Sequence, residues 1–274
     1  MPEKVILVFD IGKTMKKFLL FDRQMKVVLE EEKSFATIKD EDGFECDDLN
    51  MLSNWIFDVL KSLLTDNRFD ISGINFSTYG ASIVYLDEDD NPLTPLYNYL
   101  KPMPDEVADR IYNRYGGKEE FCRNTASPAL GILNSGLQIL QLKTSRPEVF
   151  ASVRHILHFP QYLSYLLTGK VVSEHTSIGC HTAMWNFDEM VYHEWLADEV
   201  ISLPEPVPVA SVEKDIFTGN SIPVGTGIHD SSASLVPFFE SNEDKFLLLS
   251  TGTWSIAMDP FNTDRLSAEQ LRQD

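Results

Sequence analysis

Three short polar turns in this sequence combine residue types that can bind phosphate or move a proton. The first, DIGKTMK at 10–16, lies between two apolar runs. Gly12 has no side chain, so the backbone can approach a ligand closely there. Asp and Gly are also the commonest residues of tight turns. The segment alone is therefore consistent with a ligand-contacting turn or with a plain hairpin turn.

The second turn, GTGIHDSSAS at 225–234, delivers Asp230 close to the predicted start of a helix rich in small residues. A carboxylate at a helix start often caps that helix, and it can equally act as a general base toward a hydroxyl group. Both roles stay open for Asp230 at this point. A metal-dependent hydrolase of the His-Asp type would need further His and Asp ligands.

The third turn, STGTWS at 250–255, follows the apolar run 246–249. Hydroxyl and amide groups at a strand end can cradle phosphate oxygens, although a tight turn explains the same composition. The spacings GxxxxGK[ST], GxGxxG and GxSxG are all absent from the sequence. A P-loop, a dinucleotide-binding turn and a serine nucleophile elbow therefore lack their defining patterns.

The composition is that of an acidic globular domain with a substantial core. The 274 residues are 43% hydrophobic and carry a formal charge of -19, which would repel nucleic acid and anionic membranes. The three cysteines are far apart and form no zinc-type cluster, which favours incidental thiols in a reducing compartment. The apolar run 5–9 is too short for a signal peptide or a membrane span, so we expect a cytoplasmic protein.

Apolar runs at 5–9 and 17–21, with a third at 27–33, predict three buried or half-buried strands. From Leu49 onward, apolar residues recur at helical spacing behind an acidic stretch, which predicts an amphipathic helix. Strands are then predicted at 71–76 and 83–86. The predicted order is strand, strand, strand, helix, strand.

The middle of the chain, about 103–200, is mostly helical in pattern and predicts an inserted helical layer. Helices are predicted at 136–142, 149–158 and 161–167, with Gly169 at a C-cap.

After a Pro-rich connection at 204–212 come a short strand or sheet edge at 222–224 and a helix at 231–238. A buried strand follows at 246–250. The last residues turn polar, with a fragment of helical pattern at 267–272, and predict a stop at a domain boundary.

Taken in order, four motifs make the sequence resemble the FGGY family of carbohydrate kinases over essentially its whole length. They are DIG at 10–12, STYG at 77–80, GIHD at 227–230 and TGTWS at 251–255. The segment YLSYLLTG at 162–169 also looks like a helical segment of that family. The order of the motifs is more specific than any one of them.

The resemblance implies an actin-like, ribonuclease-H-like α/β domain with a βββαβ core. Residues 1–258 would form this sugar-binding domain, and 259–274 would begin the connection to a second domain of the same type. That C-terminal domain would hold most of the nucleotide and close over a cleft shared by the sugar and ATP. We accordingly expect this chain alone to bind sugar weakly and to have negligible turnover.

By the same resemblance, Asp230 is the general base that takes the proton of the attacking sugar hydroxyl. Asp10 orients hydrated Mg²⁺. The two phosphate loops contain a set of five residues: Gly12, Lys13, Thr14, Gly252 and Thr253.

The implied sugar pocket is lined by Thr78, Tyr79, Gly80 and His229, together with Asp230. A glycine at position 80 would avoid collision with a sugar, whereas Tyr79 could instead be a plain core aromatic.

The sequence departs from the family pattern at Lys13, where many relatives carry a small hydroxyl residue. The lysine could contact phosphate, which is our hypothesis, or point to solvent. The pocket lacks the Met-His pair of xylulose-kinase-like members, and GIHD looks closer to the rhamnulose-kinase-like branch. A ketose or deoxyketose such as rhamnulose, fuculose or xylulose is the expected substrate.

Two alternatives to a sugar kinase stay open. One is a non-catalytic actin-like sugar-binding or scaffold protein, against which the presence of both Asp10 and Asp230 argues. The other is an actin-like ATPase, or a kinase for an acceptor such as a polyol or acetate, against which GIHD argues. A homodimer through the helical middle region is also open.

Overall fold

The computed structural model describes residues 1–239, 245–251 and 255–272. Its strands are β1 Glu3–Ile11, β2 Lys16–Phe21, β3 Val27–Lys33, β4 Ile38–Lys39, β5 Glu45–Cys46, β6 Phe69–Thr78, β7 Ile83–Leu86, β8 His155–His158, β9 Ser173–Glu174, β10 Trp185–Asn186, β11 Val191–Tyr192, β12 Pro206–Val207, β13 Val212–Lys214, β14 Pro223–Gly225, β15 Ile228–His229, β16 Leu248–Thr251 and β17 Ser255–Met258. The three strands predicted first and the one at 83–86 are confirmed.

The helices are α1 Leu49–Thr65, α2 Asp105–Arg114, α3 Lys118–Asn124, α4 Ser135–Ser145, α5 Pro147–Phe150, α6 Phe159–Thr168, α7 His175–Ile178, α8 Trp195–Asp198, α9 Asp230–Ala233, α10 Val236–Phe239 and α11 Ala268–Leu271, with a 3-10 turn at Gly131–Leu133. The predictions at 136–142 and 161–167 are confirmed as α4 and α6. Gly169 ends α6 in the left-handed conformation, with φ of 63°, as its C-cap position requires.

The central sheet has the order β13-β14-β6-β1-β2-β3, and β15 also pairs with β6. β1 runs parallel to β6 and antiparallel to β2, while β14 and β15 both run parallel to β6. Alternate residues of β1 are buried, beginning with Val5 and ending with Ile11. This period of two gives the sheet one fully covered face.

Helices α1 and α6 pack against that covered face. α1 begins behind Asp48, whose carboxylate accepts hydrogen bonds from the backbone N–H groups of Asn50 and Met51. Ile56 and Leu60 of α1 are completely buried in the core cluster that β1 and β6 also line. A second cluster joins α2, α3 and α4 into the helical layer.

Two local predictions were wrong. The helix predicted at 149–158 ends at Phe150, and His155–His158 is strand β8 because it pairs with β7. The helix predicted at 231–238 is divided into α9 and α10. Pro237 has no N–H to donate to the carbonyl of Ala233, so a continuous helix cannot pass that point.

The strand predicted at 246–250 exists as β16, but its burial was wrongly predicted. β16 pairs antiparallel with β17 in a separate two-stranded sheet. Leu249 on β16 keeps 66% of its surface exposed. An apolar run predicts burial only where another element covers it, and this pair contributes nothing to the central core.

Candidate active site

Three neighbouring parallel strands end at the same edge of the central sheet. In the register of β1 and β6, Asp10 lies opposite Ser77, and in that of β6 and β15, His229 lies opposite Thr78. Asp230 follows β15 directly as the first residue of α9. The carboxyl ends of parallel strands are where open α/β sheets bind ligands. The structure therefore brings Asp10 and Asp230 to one edge, with β6 between their strands.

The two carboxylates influence one another electrostatically. Burial raises the pKa of Asp10, and the negative charge of Asp230 raises it further, whereas Lys17 opposes the shift. A carboxylate that is partly desolvated and near a second carboxylate gains from a nearby cation. This edge of the sheet therefore concentrates negative charge that a cation could neutralise.

Asp230 is positioned as an accessible carboxylate rather than as a helix cap. The N-cap position of α9 belongs to His229, whose side chain makes no capping hydrogen bond. Asp230 Oδ1 accepts a hydrogen bond of 2.6 Å from the backbone N–H of Ser231, and 40% of the side chain is exposed. The carboxylate is therefore exposed enough to reach a ligand, as a general base would have to be.

His229 is held in a narrow slot beside Asp230. Its Nε2 lies 3.4 Å from Asp230 Oδ1 and 3.5 Å from Cys180 Sγ. A Cβ atom on Gly80 would lie only 2.6 Å from the same Nε2, so a glycine is needed at position 80 because of His229. Burial lowers the pKa of His229 and outweighs the opposite influence of Asp230, which favours the neutral imidazole.

Thr78 and Tyr79 are placed beneath the site, not at its surface. Thr78 is fully buried and its hydroxyl donates to the carbonyl of Tyr79. Tyr79 is 6% exposed, and its ring packs against Phe159 and Tyr99 in the core. Gly80, His229 and Asp230 are brought together at the edge, where Thr78 pairs with His229 but has a buried side chain.

The side chain of Lys13 contacts a carboxylate and two aromatic rings, and its predicted contact with phosphate stays a hypothesis. Its Nζ lies 2.6 Å from Asp47 Oδ2, and it stands over the rings of Tyr79 and Tyr99 at 5.2 and 5.8 Å from their centroids. The ammonium group is thus held by a carboxylate and two aromatic faces. In this structure the side chain supports the turn that follows β1.

Asp47 is a site residue that the sequence reasoning missed. It also accepts from the buried ammonium of Lys16 at 3.1 Å and from the hydroxyl of Tyr79 at 2.8 Å. Burial would raise the pKa of Asp47, but Lys13, Lys16 and the Tyr79 hydrogen bond outweigh burial and lower it. The only sequence signal was its place in the acidic stretch before α1, which predicts helix stabilisation and nothing more.

The turn between β1 and β2 is compact and partly open to solvent. A Cβ atom on Gly12 would lie 3.0 Å from the carbonyl oxygen of Met15, so a larger residue would strain the turn. Thr14 is exposed at its tip, and the ammonium of Lys16 donates to the carbonyl of Lys13. Gly12 and Thr14 therefore lie where a ligand at the sheet edge could reach them. Gly252 and Thr253, the other predicted phosphate-loop residues, lie outside the described residues.

The residues fit a hydrated Mg²⁺ better than an enclosed metal ion. Within residues 1–239, 245–251 and 255–272, no group of three or more His, Cys, Asp or Glu could enclose a metal. Mg²⁺ typically keeps several waters and binds one or two carboxylates together with substrate phosphates. The half-buried Asp10, whose pKa is raised by burial and by Asp230, suits that mode of binding.

None of the helices in the described part of the chain has the length and apolar character of a membrane-spanning helix.

The central sheet, its helical layer and its two carboxylates define an N-terminal domain of the actin-like ATPase fold. A solved carbohydrate kinase from Novosphingobium aromaticivorans superimposes with a TM-score of 0.85 and 26% identity, over 98% of this chain and 58% of that one. A ligand-bound xylulose kinase from Lactobacillus acidophilus gives a TM-score of 0.72 at 23% identity, over 85% of this chain and 49% of that one. The latter likeness concerns the fold alone.

The chain belongs to the FGGY family of carbohydrate kinases, because the model of that family's N-terminal domain matches residues 5–236. Curated relatives include the rhamnulokinases of Oceanobacillus iheyensis and Halalkalibacterium halodurans, at 24% and 27% identity. Each alignment covers 91% of this chain and 55% of the relative. The chain therefore spans about half the length of the curated relatives it matches.

Proposed function

We propose that this chain is the sugar-binding half of an ATP-dependent carbohydrate kinase that phosphorylates a ketose or deoxyketose. The observation that carries the proposal is the placement of Asp10 and Asp230 at one sheet edge, at the ends of the two strands that flank β6. Phosphoryl transfer to a hydroxyl needs a base for the acceptor and a cation site for the phosphates. Asp230 is the candidate for the base, and Asp10 is the candidate for the cation site.

Asp230 is the proposed general base. Its exposed carboxylate can accept the proton of a sugar hydroxyl that lies within hydrogen-bond distance. The neutral imidazole of His229, packed on Gly80, forms the adjoining wall and can orient the sugar by a hydrogen bond. Thr78 and Tyr79, first expected to line the pocket, support this wall from below.

Asp10 is the proposed site for hydrated Mg²⁺, which would neutralise charge on the phosphates of bound ATP. The backbone at Gly12 and the exposed hydroxyl of Thr14 lie in the turn that follows Asp10 and can contact phosphate oxygens. Gly252 and Thr253 stay part of the proposal as the opposite phosphate loop. Lys13 anchors the turn to Asp47, and a contact of its ammonium group with phosphate stays part of the proposal.

The proposed acceptor is a ketose or deoxyketose such as rhamnulose, fuculose or xylulose. The rhamnulokinase relatives support this choice, as does GIHD at 227–230. A C-terminal domain following residues 1–258 would contribute the adenine contacts and the closure over the cleft. The 274-residue chain alone should then turn over ATP hardly at all.

The test is a coupled ADP-release assay of the full-length protein with ATP, Mg²⁺ and a panel of ketoses, polyols and acetate. We expect turnover with one ketose, and Asp230→Asn should reduce kcat by at least about 100-fold. Asp70→Asn, an exposed carboxylate at the opposite end of β6, serves as a matched control. Transfer to none of the ketoses, or an Asp230→Asn variant with normal turnover, would show the proposal to be wrong.

A further inference from the structure

A short hydrogen-bonded chain leads from a buried carboxylate to the backbone beside the proposed base. The hydroxyl of Thr176 accepts a hydrogen bond of 3.1 Å from the backbone N–H of His229. The same hydroxyl donates its proton to Glu174 Oε2, while the backbone N–H of Thr176 donates to Glu174 Oε1 at 2.8 Å. Both oxygens of Glu174 are thereby directed at Thr176.

The local fold explains why this chain of contacts is rigid. Glu174 ends β9, which pairs with β12, and it is also the N-cap of α7. Only 1% of Glu174 is exposed. Burial raises the pKa of Glu174, and the hydrogen bonds from Thr176 oppose that effect by favouring the carboxylate. A buried carboxylate with satisfied partners fixes the orientation of the hydroxyl that it accepts from.

Other side-chain groups hold the backbone just before His229. Gln161 donates to the carbonyls of Thr226 and Gly227 at 3.2 and 3.0 Å, and Asn75 accepts from the N–H of Gly227. β15 has only two residues, so it contributes few ladder hydrogen bonds of its own. The Thr176 contact is therefore the side-chain hydrogen bond nearest to Asp230 on the strand that delivers it.

We propose that Glu174 and Thr176 are positioning residues of the phosphoryl transfer. They hold the N–H of His229, and this contact fixes the positions of the His229 imidazole and the Asp230 carboxylate. This inference rests on the proposed function. Neither residue is among the proposed sugar or phosphate contacts. They act because small displacements of a base from its acceptor hydroxyl reduce the rate steeply.

The experiment compares Thr176→Val, which removes the hydroxyl at nearly constant volume, with Thr176→Ser, which keeps it. In the full-length protein we expect Thr176→Val to lower kcat by about tenfold or more, and Thr176→Ser to restore most of it. Glu174→Gln should lower kcat as well, because an amide nitrogen cannot accept from Thr176. Thr125→Val is the matched control, since the buried hydroxyl of Thr125 bonds only to the carbonyl of Phe121 in the helical layer.

Hydrogen exchange followed by mass spectrometry supplies a readout that does not depend on turnover. Peptides that contain 228–230 should exchange about tenfold faster in Thr176→Val than in the wild type or in Thr125→Val. The inference is overturned by unchanged exchange, by unchanged kcat, by an equal loss in Thr125→Val or by failure of serine to rescue. If the wild type transfers no phosphate to any ketose, the proposed function is wrong, and the exchange alone decides whether Thr176 holds this strand end.

Discussion

Lys13 Nζ lies 2.6 Å from Asp47 Oδ2, so an ion pair ties the turn after β1 to the start of α1. Lys16, at the other end of the turn, reaches the second oxygen of the same carboxylate. Asp47 also accepts from Tyr79, which lies just beyond β6. One carboxylate thus fixes the turn with Gly12 and Thr14 relative to two of the strands that form the site.

Replacing Asp47 by Asn should destabilise the fold by about 3 kcal/mol, because Lys16 is 4% exposed and would be left without its carboxylate. Urea unfolding at neutral pH measures the change. The pKa of Asp47 is lowered from 3.8 in the folded state, so its stabilising effect is present above that value and is lost as the pH falls through the folded pKa. The difference between Asp47→Asn and the wild type should therefore shrink in acid.

The matched control for that measurement is Asp66→Asn. Asp66 forms an ion pair with Arg68 on the exposed surface after α1. Exposed pairs contribute little because water and salt screen them. If Asp66→Asn lost as much stability as Asp47→Asn, burial of the Lys16–Asp47 ion pair would not explain the effect of Asp47→Asn.

Asp10→Asn should increase thermal stability at neutral pH while it abolishes the proposed activity. Because the pKa of Asp10 is raised in the folded state, its ionisation costs stability once the pH rises through the folded pKa. Removing the charge should raise Tm by on the order of 3 °C at pH 7, and the gain should vanish where the wild-type carboxyl is protonated. Scanning calorimetry across pH follows both effects.

Mg²⁺ offers a second readout for Asp10. Millimolar Mg²⁺ should raise the Tm of the wild type, since a cation that binds only the folded state stabilises that state. The Tm of Asp10→Asn should not change. Equal shifts in both proteins would mean that Asp10 does not hold the ion.

Gly80→Ala should displace His229, because the new Cβ would lie 2.6 Å from its Nε2. We expect a cost of about 1–3 kcal/mol in stability and a rise in KM for the sugar. Gly73→Ala, on β6 just before the turn at Gly80, is the control, since its Cβ would meet nothing closer than 3.8 Å. Titration calorimetry compares the affinity of the two variants for the sugar. Equal affinities would mean that His229 does not line the sugar pocket.

The alternation of apolar residues predicted the central strands and α1 because those elements bury one face against a local core. The prediction at 149–158 was wrong because His155–His158 is a strand only through its pairing with Ile83–Leu86, some 70 residues away in the sequence. Periodicity within a short apolar run cannot distinguish a buried strand from a helix. Pro237, by contrast, was a local signal for the break between α9 and α10, and the prediction of one helix at 231–238 overlooked it.

For the site, the motifs predicted Asp10, Gly80, His229 and Asp230, which stand at turns with unusual composition. Asp47, Glu174 and Thr176 carry no such signal. Asp47 and Thr176 matter through contacts with residues more than 30 positions away, namely Lys13 and His229. Glu174 matters because it holds Thr176. A sequence pattern shows which residue is present but not which distant residue it contacts in the fold.

The anchoring role of Lys13 is tested by a double-mutant cycle with Asp47 in the full-length protein. If the ion pair acts as a unit, Lys13→Met and Asp47→Asn should each raise KM for ATP, and the double variant should be no worse than Asp47→Asn alone. A direct phosphate contact predicts the opposite. In Asp47→Asn the ammonium of Lys13 would still reach the nucleotide, so Lys13→Met would lower the affinity for ATP both in the wild type and in Asp47→Asn. Lys13→Met with unchanged ATP affinity and turnover would exclude both roles, leaving Lys16 and Tyr79 as the contacts through which Asp47 holds the turn.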